Sequence, residues 1–334
     1  MCAESGLRKW RRPQALFVFG DSFVDSGNLP KMKGRFRTSR QWFYPYGVSN
    51  EEGPVATGRF SDFMVQSDFI AKMLGLPMSP PTYESTRARY CTPDGMNFAY
   101  GGTGVNNLTP AWNNLRDQVD EFKRMLKIGI IMENYVTHSV ALIGIDGDDY
   151  KRFGIHRNSR DIASFARNMT AEIAENVERL RNLGVKRILV NNMHPLGCTP
   201  SLCRKRNYKA CDDMANKAAS VHNSEMKQKL GKKKGVLIVD LSSAFNNIIG
   251  QSNHVLAEDS ESYKQFKHTR KPCCETIDPK GFCGQRDENS KPLYSQCRDP
   301  QNYFFWDDMH PTHTGWKAVI AQLENPIKKF LGHA

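Results

Sequence analysis

Five short apolar runs constrain this chain more than any other feature. Residues 16–19, 96–100, 139–145, 187–191 and 236–240 are brief, apolar and bounded by turn residues or charges, so they read as buried strands. Longer stretches lie between and after them. Residues 61–74 are predicted helical, with Gly75 and Pro77 as stop signals. Leu115, Val119, Phe122 and Leu126 fall on one helical face. Ile162, Phe165, Met169, Ile173, Val177 and Leu180 form a second stripe, with Gly184 placed to end it. Residues 215–230 read as a helix, and residues 314–330 as a last one broken near Pro326. Buried strands alternating with helices imply a parallel sheet covered on both faces. The chain carries no internal repeat, low-complexity tract or linker, which favours one domain over two.

Composition removes several function classes. The chain has 334 residues, of which 39% are hydrophobic, enough for a large core and incompatible with a disordered chain. No apolar run approaches the ~18 residues of a membrane span, so stable membrane insertion is not expected. The net charge of +12 invites a nucleic-acid reading, but the cations sit in five islands at 1–12, 31–40, 204–209, 227–234 and 264–271. These carry +21 together, leaving the rest of the chain at −9. No zinc-finger spacing, leucine zipper or RNA-binding aromatic signature accompanies them, so no nucleic-acid partner is expected. The islands read as solvated loops and helix faces, or as attraction to an anionic polysaccharide or lipid surface. Residues 1–14 read as a disordered basic leader, without the ~7–15-residue apolar core of a secretory signal, and residues 15–334 as the domain.

The chemistry lies at strand ends. Gly20-Asp21-Ser22-Phe23-Val24-Asp25-Ser26-Gly27-Asn28 follows the first strand. A serine at such a turn can expose its hydroxyl beside backbone N–H groups that stabilise an oxyanion, or it can cap a helix. Near the other end, Asp307 stands three residues before His310, within reach of its ring across one turn. Asp308 reads as solvated or capping. Asn97-Phe98-Ala99-Tyr100-Gly101-Gly102-Thr103-Gly104 is a glycine-rich turn without the lysine of a phosphate loop. Ile145-Asp146-Gly147-Asp148-Asp149-Tyr150 ends the third strand, and its acids do not follow a calcium-loop pattern.

In this order, the four segments resemble the plant GDSL esterases and lipases of the SGNH hydrolase superfamily. Further landmarks are Gly58-Arg59-Phe60-Ser61-Asp62, His194-Pro195-Leu196-Gly197-Cys198-Thr199-Pro200, His222-Asn223 and Pro272-Cys273-Cys274, so the likeness runs from about Ala15 to Leu331. The resemblance implies a three-layer α/β/α sandwich with a five-stranded parallel sheet, and ester hydrolysis through an acyl-enzyme without cofactor or metal. It makes Ser22 the nucleophile, His310 the base and Asp307 its partner. It assigns oxyanion donors to the backbone N–H groups of Ser22 and Gly101, with Gly102 the alternative one residue on. The third donor of the family is an asparagine in Gly-Asn-Asp, and this chain has Asp148 there. An ionised aspartate accepts but does not donate, so the chain is expected to be a slow esterase, an acid-favouring one or an inactive binding relative. A separate alternative is an acyltransferase on the same three residues, with an alcohol in place of water. Burial that kept Asp148 protonated would let it donate. The implied partner is an ester: a small molecule, a lipid or an acylated polysaccharide.

The cysteines add a compartment. Cys198, Cys203 and Cys211 cluster, as do Cys273, Cys274, Cys283 and Cys297, while Cys2 and Cys91 stand apart. No Cys-x-x-Cys half-site occurs, so disulfides are expected rather than zinc. With the resemblance, they imply a secreted protein. Asn107-Leu108-Thr109 and Asn168-Met169-Thr170 are glycosylation sequons. The segments 31–46 and 251–271 are expected to shape the pocket.

Overall fold

A computed structural model of the protein describes residues 15–33, 36–86, 93–106, 113–145, 147–155, 158–250 and 266–332; the expected leader 1–14, Cys2, Cys91 and the sequon at Asn107 lie outside them. Five parallel strands form the central sheet in the order β2-β1-β3-β4-β5: β1 (Ala15–Gly20), β2 (Gly95–Asn97), β3 (Ser139–Gly144), β4 (Arg187–Asn191) and β5 (Val236–Val239). The helices are α1 (Gln66–Met73), α2 (Tyr83–Thr86), α3 (Leu115–Lys127), α4 (Glu133–Thr137), α5 (Asp148–Phe153), α6 (Ser159–Asn182), α7 (Pro200–Cys203), α8 (Asp213–Leu230), α9 (Leu241–Gly250) and α10 (His313–Leu331).

Alternation along β1 shows why its sequence is apolar throughout. Ala15, Phe17 and Phe19 pack with buried residues of α3, α6 and α8, whereas Leu16 and Val18 pack with those of α1, α9 and α10. Both faces are buried, so both parities of the strand must be apolar. Phe122 of α3 meets Phe17 edge-on, with ring centroids 4.8 Å apart. The result is the expected three-layer α/β/α sandwich.

Several boundaries differ from the sequence reading. Residues 61–65 are not helical, and α1 starts at Gln66. Asp68 accepts the Val65 N–H at 2.9 Å and fixes the helix start there. Ser61 and Asp62 instead reach across to the Pro311 carbonyl and the His313 N–H. Pro326 does not break α10, which runs through to Leu331. Leu323, Ile327 and Leu331 are all buried, so core contacts on both sides hold the helix across the missing hydrogen bond.

A small covalently tied region lies beside the sandwich. There β6 (His268–Pro272) pairs with β9 (Tyr303–Phe305), and β7 (Cys274–Thr276) pairs with β8 (Tyr294–Gln296). Disulfides join Cys273 to Cys297, Cys274 to Cys283 and Cys198 to Cys211, each within a cluster visible in the sequence. Cys203 is a buried free thiol. Of the second sequon, Asn168 is exposed on α6, but Thr170 is buried and donates to the Ala166 carbonyl.

Gly20 ends β1 at φ +134°, and a Cβ there would stand 1.8 Å from the Gly144 carbonyl oxygen. Both the backbone conformation and the close approach of β3 require glycine. Gly20→Ala is expected to destabilise the fold by about 3 kcal/mol or more, read as a lowered thermal midpoint with a native-like far-UV spectrum. An unchanged midpoint would contradict this account of the turn.

Candidate active site

The turn after β1 presents Ser22 at the carboxyl end of the sheet. Asp21 donates its N–H to the Gly144 carbonyl at 3.0 Å, and Val24 and Asp25 donate back to the Asp21 carbonyl. Gln118 of α3 braces the same turn, accepting from the Gly20 N–H at 2.7 Å and donating to its carbonyl at 2.9 Å.

Across from it, the segment after β9 folds back on itself. Asp307 Oδ1 accepts the backbone N–H groups of Met309 and His310 at 3.0 and 2.9 Å. The Trp306 N–H donates to the His310 carbonyl at 2.7 Å and closes the turn. Three-residue spacing therefore places the carboxylate on the ring of its own turn, with His310 Nδ1 2.7 Å from Asp307 Oδ1. His310 Nε2 lies 2.8 Å from Ser22 Oγ. All three side chains are buried, and Phe60 stacks on the imidazole with centroids 4.9 Å apart. Burial alone would raise the Asp307 carboxyl, but His310 and Arg40 beside it hold it well below the usual carboxylate range.

The serine and histidine open into a cavity of about 440 Å³, whose lining includes Leu29, Phe60, Gly102, Asp148, Lys151, Leu202 and Met309. The segment 31–46 contributes Arg37, Thr38 and Arg40, as expected. Of the segment 251–271, residues 251–265 lie outside the described residues and 266–271 do not line the cavity, whereas Ser201 and Leu202 of α7 do. The basic island at 31–40 is therefore not simply a solvated surface. Asp308 is partly exposed, as expected of a solvated side chain, and also lies 3.6 Å from Arg37 and 3.8 Å from Arg40.

Gly101 and Gly102 both line the cavity, and the Gly101 N–H donates to Asp25 Oδ2 at 2.9 Å. Asp148 does line the cavity, but about a quarter of its side chain is exposed and Lys151 Nζ lies 3.7 Å away.

Other motif residues serve the scaffold. Asp25 Oδ1 accepts from the N–H groups of Gly27 and Asn28, both at 2.7 Å. The Asn28 amide donates to the Asn97 and Ala99 carbonyls, and the Asn97 amide donates to the Val24 carbonyl. Asp149 accepts from the N–H groups of Val105 and Asn106, tying the glycine-rich turn to α5. His222 meets the Tyr150 hydroxyl at 2.9 Å, and Asn223 binds both backbone groups of Met193. Sequence reasoning missed Arg40 and Tyr46, which reach the second oxygen of Asp307.

A parallel five-stranded α/β/α fold with a hydrogen-bonded Ser-His-Asp series at its strand ends defines a hydrolase class. The model of the GDSL-like lipase/acylhydrolase family matches residues 16–323, and the chain belongs to that family of carboxylic-ester hydrolases. GDSL esterase/lipase At5g03610 of Arabidopsis thaliana is 33% identical over 95% of this chain and 87% of its own length. GDSL esterase/lipase At3g09930 of the same plant is 32% identical over 95% and 89%. Among solved structures, LAE5, an alpha/beta hydrolase enzyme from the metagenome of Lake Arreo, aligns over 96% of each chain at 14% identity with a TM-score of 0.40.

Asp25 gives this region a pH signature. Burial pushes its carboxyl up to about 6, against the lowering effect of its backbone N–H donors. A carboxyl raised above its unfolded value stabilises the fold at low pH, and that contribution is lost as pH rises towards 6. The stability difference between the parent and Asp25→Asn, measured by urea titration, should fall by roughly 2–3 kcal/mol between pH 4 and 6.5 and then level. A difference constant across that window would overturn this assignment.

Proposed function

We propose that the protein hydrolyses carboxylic esters through an acyl intermediate on Ser22. The observation that carries this reading is the Ser22–His310–Asp307 series, with contacts of 2.8 and 2.7 Å, opening onto the cavity. His310 Nε2 takes the proton from Ser22 Oγ as that oxygen attacks the ester carbonyl, then passes it to the departing alcohol. Water repeats the sequence and releases the acid. Asp307 holds the imidazole with its proton on Nδ1 and steadies the imidazolium as it forms.

The developing oxyanion forms where the backbone of Ser22, Gly101 and Gly102 borders the cavity. Asp148 in its ionised form has no proton to donate, and the Lys151 ammonium at 3.7 Å offsets part of its repulsion. The cavity suits a short acyl group beside its alcohol, with apolar contacts from Leu29, Phe60, Leu202 and Met309. Three disulfides support an extracellular location. Among the described residues, no helix is long and apolar enough to cross a membrane.

Fluorophosphonate labelling and hydrolysis of p-nitrophenyl acetate should both occur in the parent and vanish in Ser22→Ala. A parent that is neither labelled nor active sinks the reading. Asp148→Asn should raise turnover roughly tenfold or more, because it returns a donor to the oxyanion. An unchanged rate across pH would remove Asp148 from the oxyanion site.

A further inference from the structure

Asp307 has two carboxylate oxygens, and the series to Ser22 uses only Oδ1. Oδ2 accepts a hydrogen bond from the Tyr46 hydroxyl at 2.7 Å and lies 3.4 Å from Arg40 Nη2. Arg40 Nε in turn donates to the Tyr46 oxygen at 2.8 Å, which closes a three-membered network. Arg40 is also stacked over Phe60, with the guanidinium carbon 4.9 Å from the ring centroid. Phe60 also stacks on His310, whose ring lies 4.9 Å away at 27°. Arg40 thus bears on the acid directly and on the base through one aromatic ring.

We propose that Arg40 and Tyr46 are positioning residues for the hydrolytic step, holding Asp307 by its second oxygen in the rotamer that orients His310. The inference rests on the reading of His310 as the base. A carboxylate gripped on one oxygen only can turn about its bond to Cβ, and the grip on the second oxygen removes that freedom. Tyr46 is fully buried, and that burial pushes its hydroxyl well above its usual range, so it remains a donor throughout. Burial works against the charge of Arg40, but Tyr46, Asp307 and Asp308 together keep it protonated.

The test compares kcat and KM on p-nitrophenyl acetate, with thermal midpoints, for the parent, Arg40→Met, Arg40→Lys and Tyr46→Phe. Arg40→Met and Tyr46→Phe should each lose kcat roughly tenfold or more with KM nearly unchanged, because Asp307 is less well held. Arg40→Lys should recover part of the loss. A purely structural role would lower thermal midpoints but leave kcat of the folded variants at the parental value, and that result overturns the inference. If Arg40→Met does not fold, Tyr46→Phe decides. A parent without Ser22-dependent hydrolysis defeats the esterase reading, while a folded Tyr46→Phe with parental kcat defeats this one.

Discussion

A carboxylate removed from water must be met by donors on nearly every lone pair, and Asp307 is met on both oxygens. Two backbone N–H groups and an imidazole serve one oxygen, while a phenol and a guanidinium serve the other. The consequence is directional. A carboxylate held from both sides cannot rotate, and His310 inherits that fixity through a 2.7 Å contact. Phe60 closes the remaining freedom by stacking on the ring. The surrounding loops can then be irregular, because the groups whose orientation matters are fixed by hydrogen bonds rather than by regular structure.

The loops themselves are bolted by buried polar side chains. Asp25 spans the serine turn and the glycine-rich turn, and Asn28 and Asn97 bond across the same gap in opposite directions. Asp149 adds the start of α5 to the assembly. Arg59 forks onto Asp68 with contacts of 2.8 and 2.7 Å, both groups buried, and so ties the loop before Phe60 to the first helix. Removing either partner of such a pair strands a charge in the interior, which costs far more than the pair itself gains. Much of what looks like catalytic sequence is therefore a frame for three side chains.

The sheet and the long helices were legible because burial on both faces writes itself as local periodicity. The stripe from Ile162 to Leu180 and the run at 187–191 needed no knowledge of the rest of the chain. The false helix start at Ser61 has an equally local cause: Phe63, Met64 and Val65 extend the apolar pattern, but Asp68 caps at Val65 and the preceding residues bond to the other end of the chain. Ser22, Asp307 and His310 were legible from a family pattern. Arg40 and Tyr46 were not, because their partner lies more than 260 residues away and their segment reads as a basic loop with aromatics. A glycine-rich string names the turn and not the direction of each N–H, so it does not separate Gly101 from Gly102.

The adjacent cysteines reach further than the loops they join. Cys273 and Cys274 donate their N–H groups to the carbonyls of Phe305 and Trp306, the two residues before Asp307. Each cysteine is bonded to a different loop, one ending at Cys297 and the other at Cys283. The backbone that delivers Asp307 is thus laid along a covalent brace, and its placement depends on oxidation state as well as on the core. In a reducing compartment the acid would hang from a slack support, and the redox state of two cysteines would reach the site through four backbone atoms.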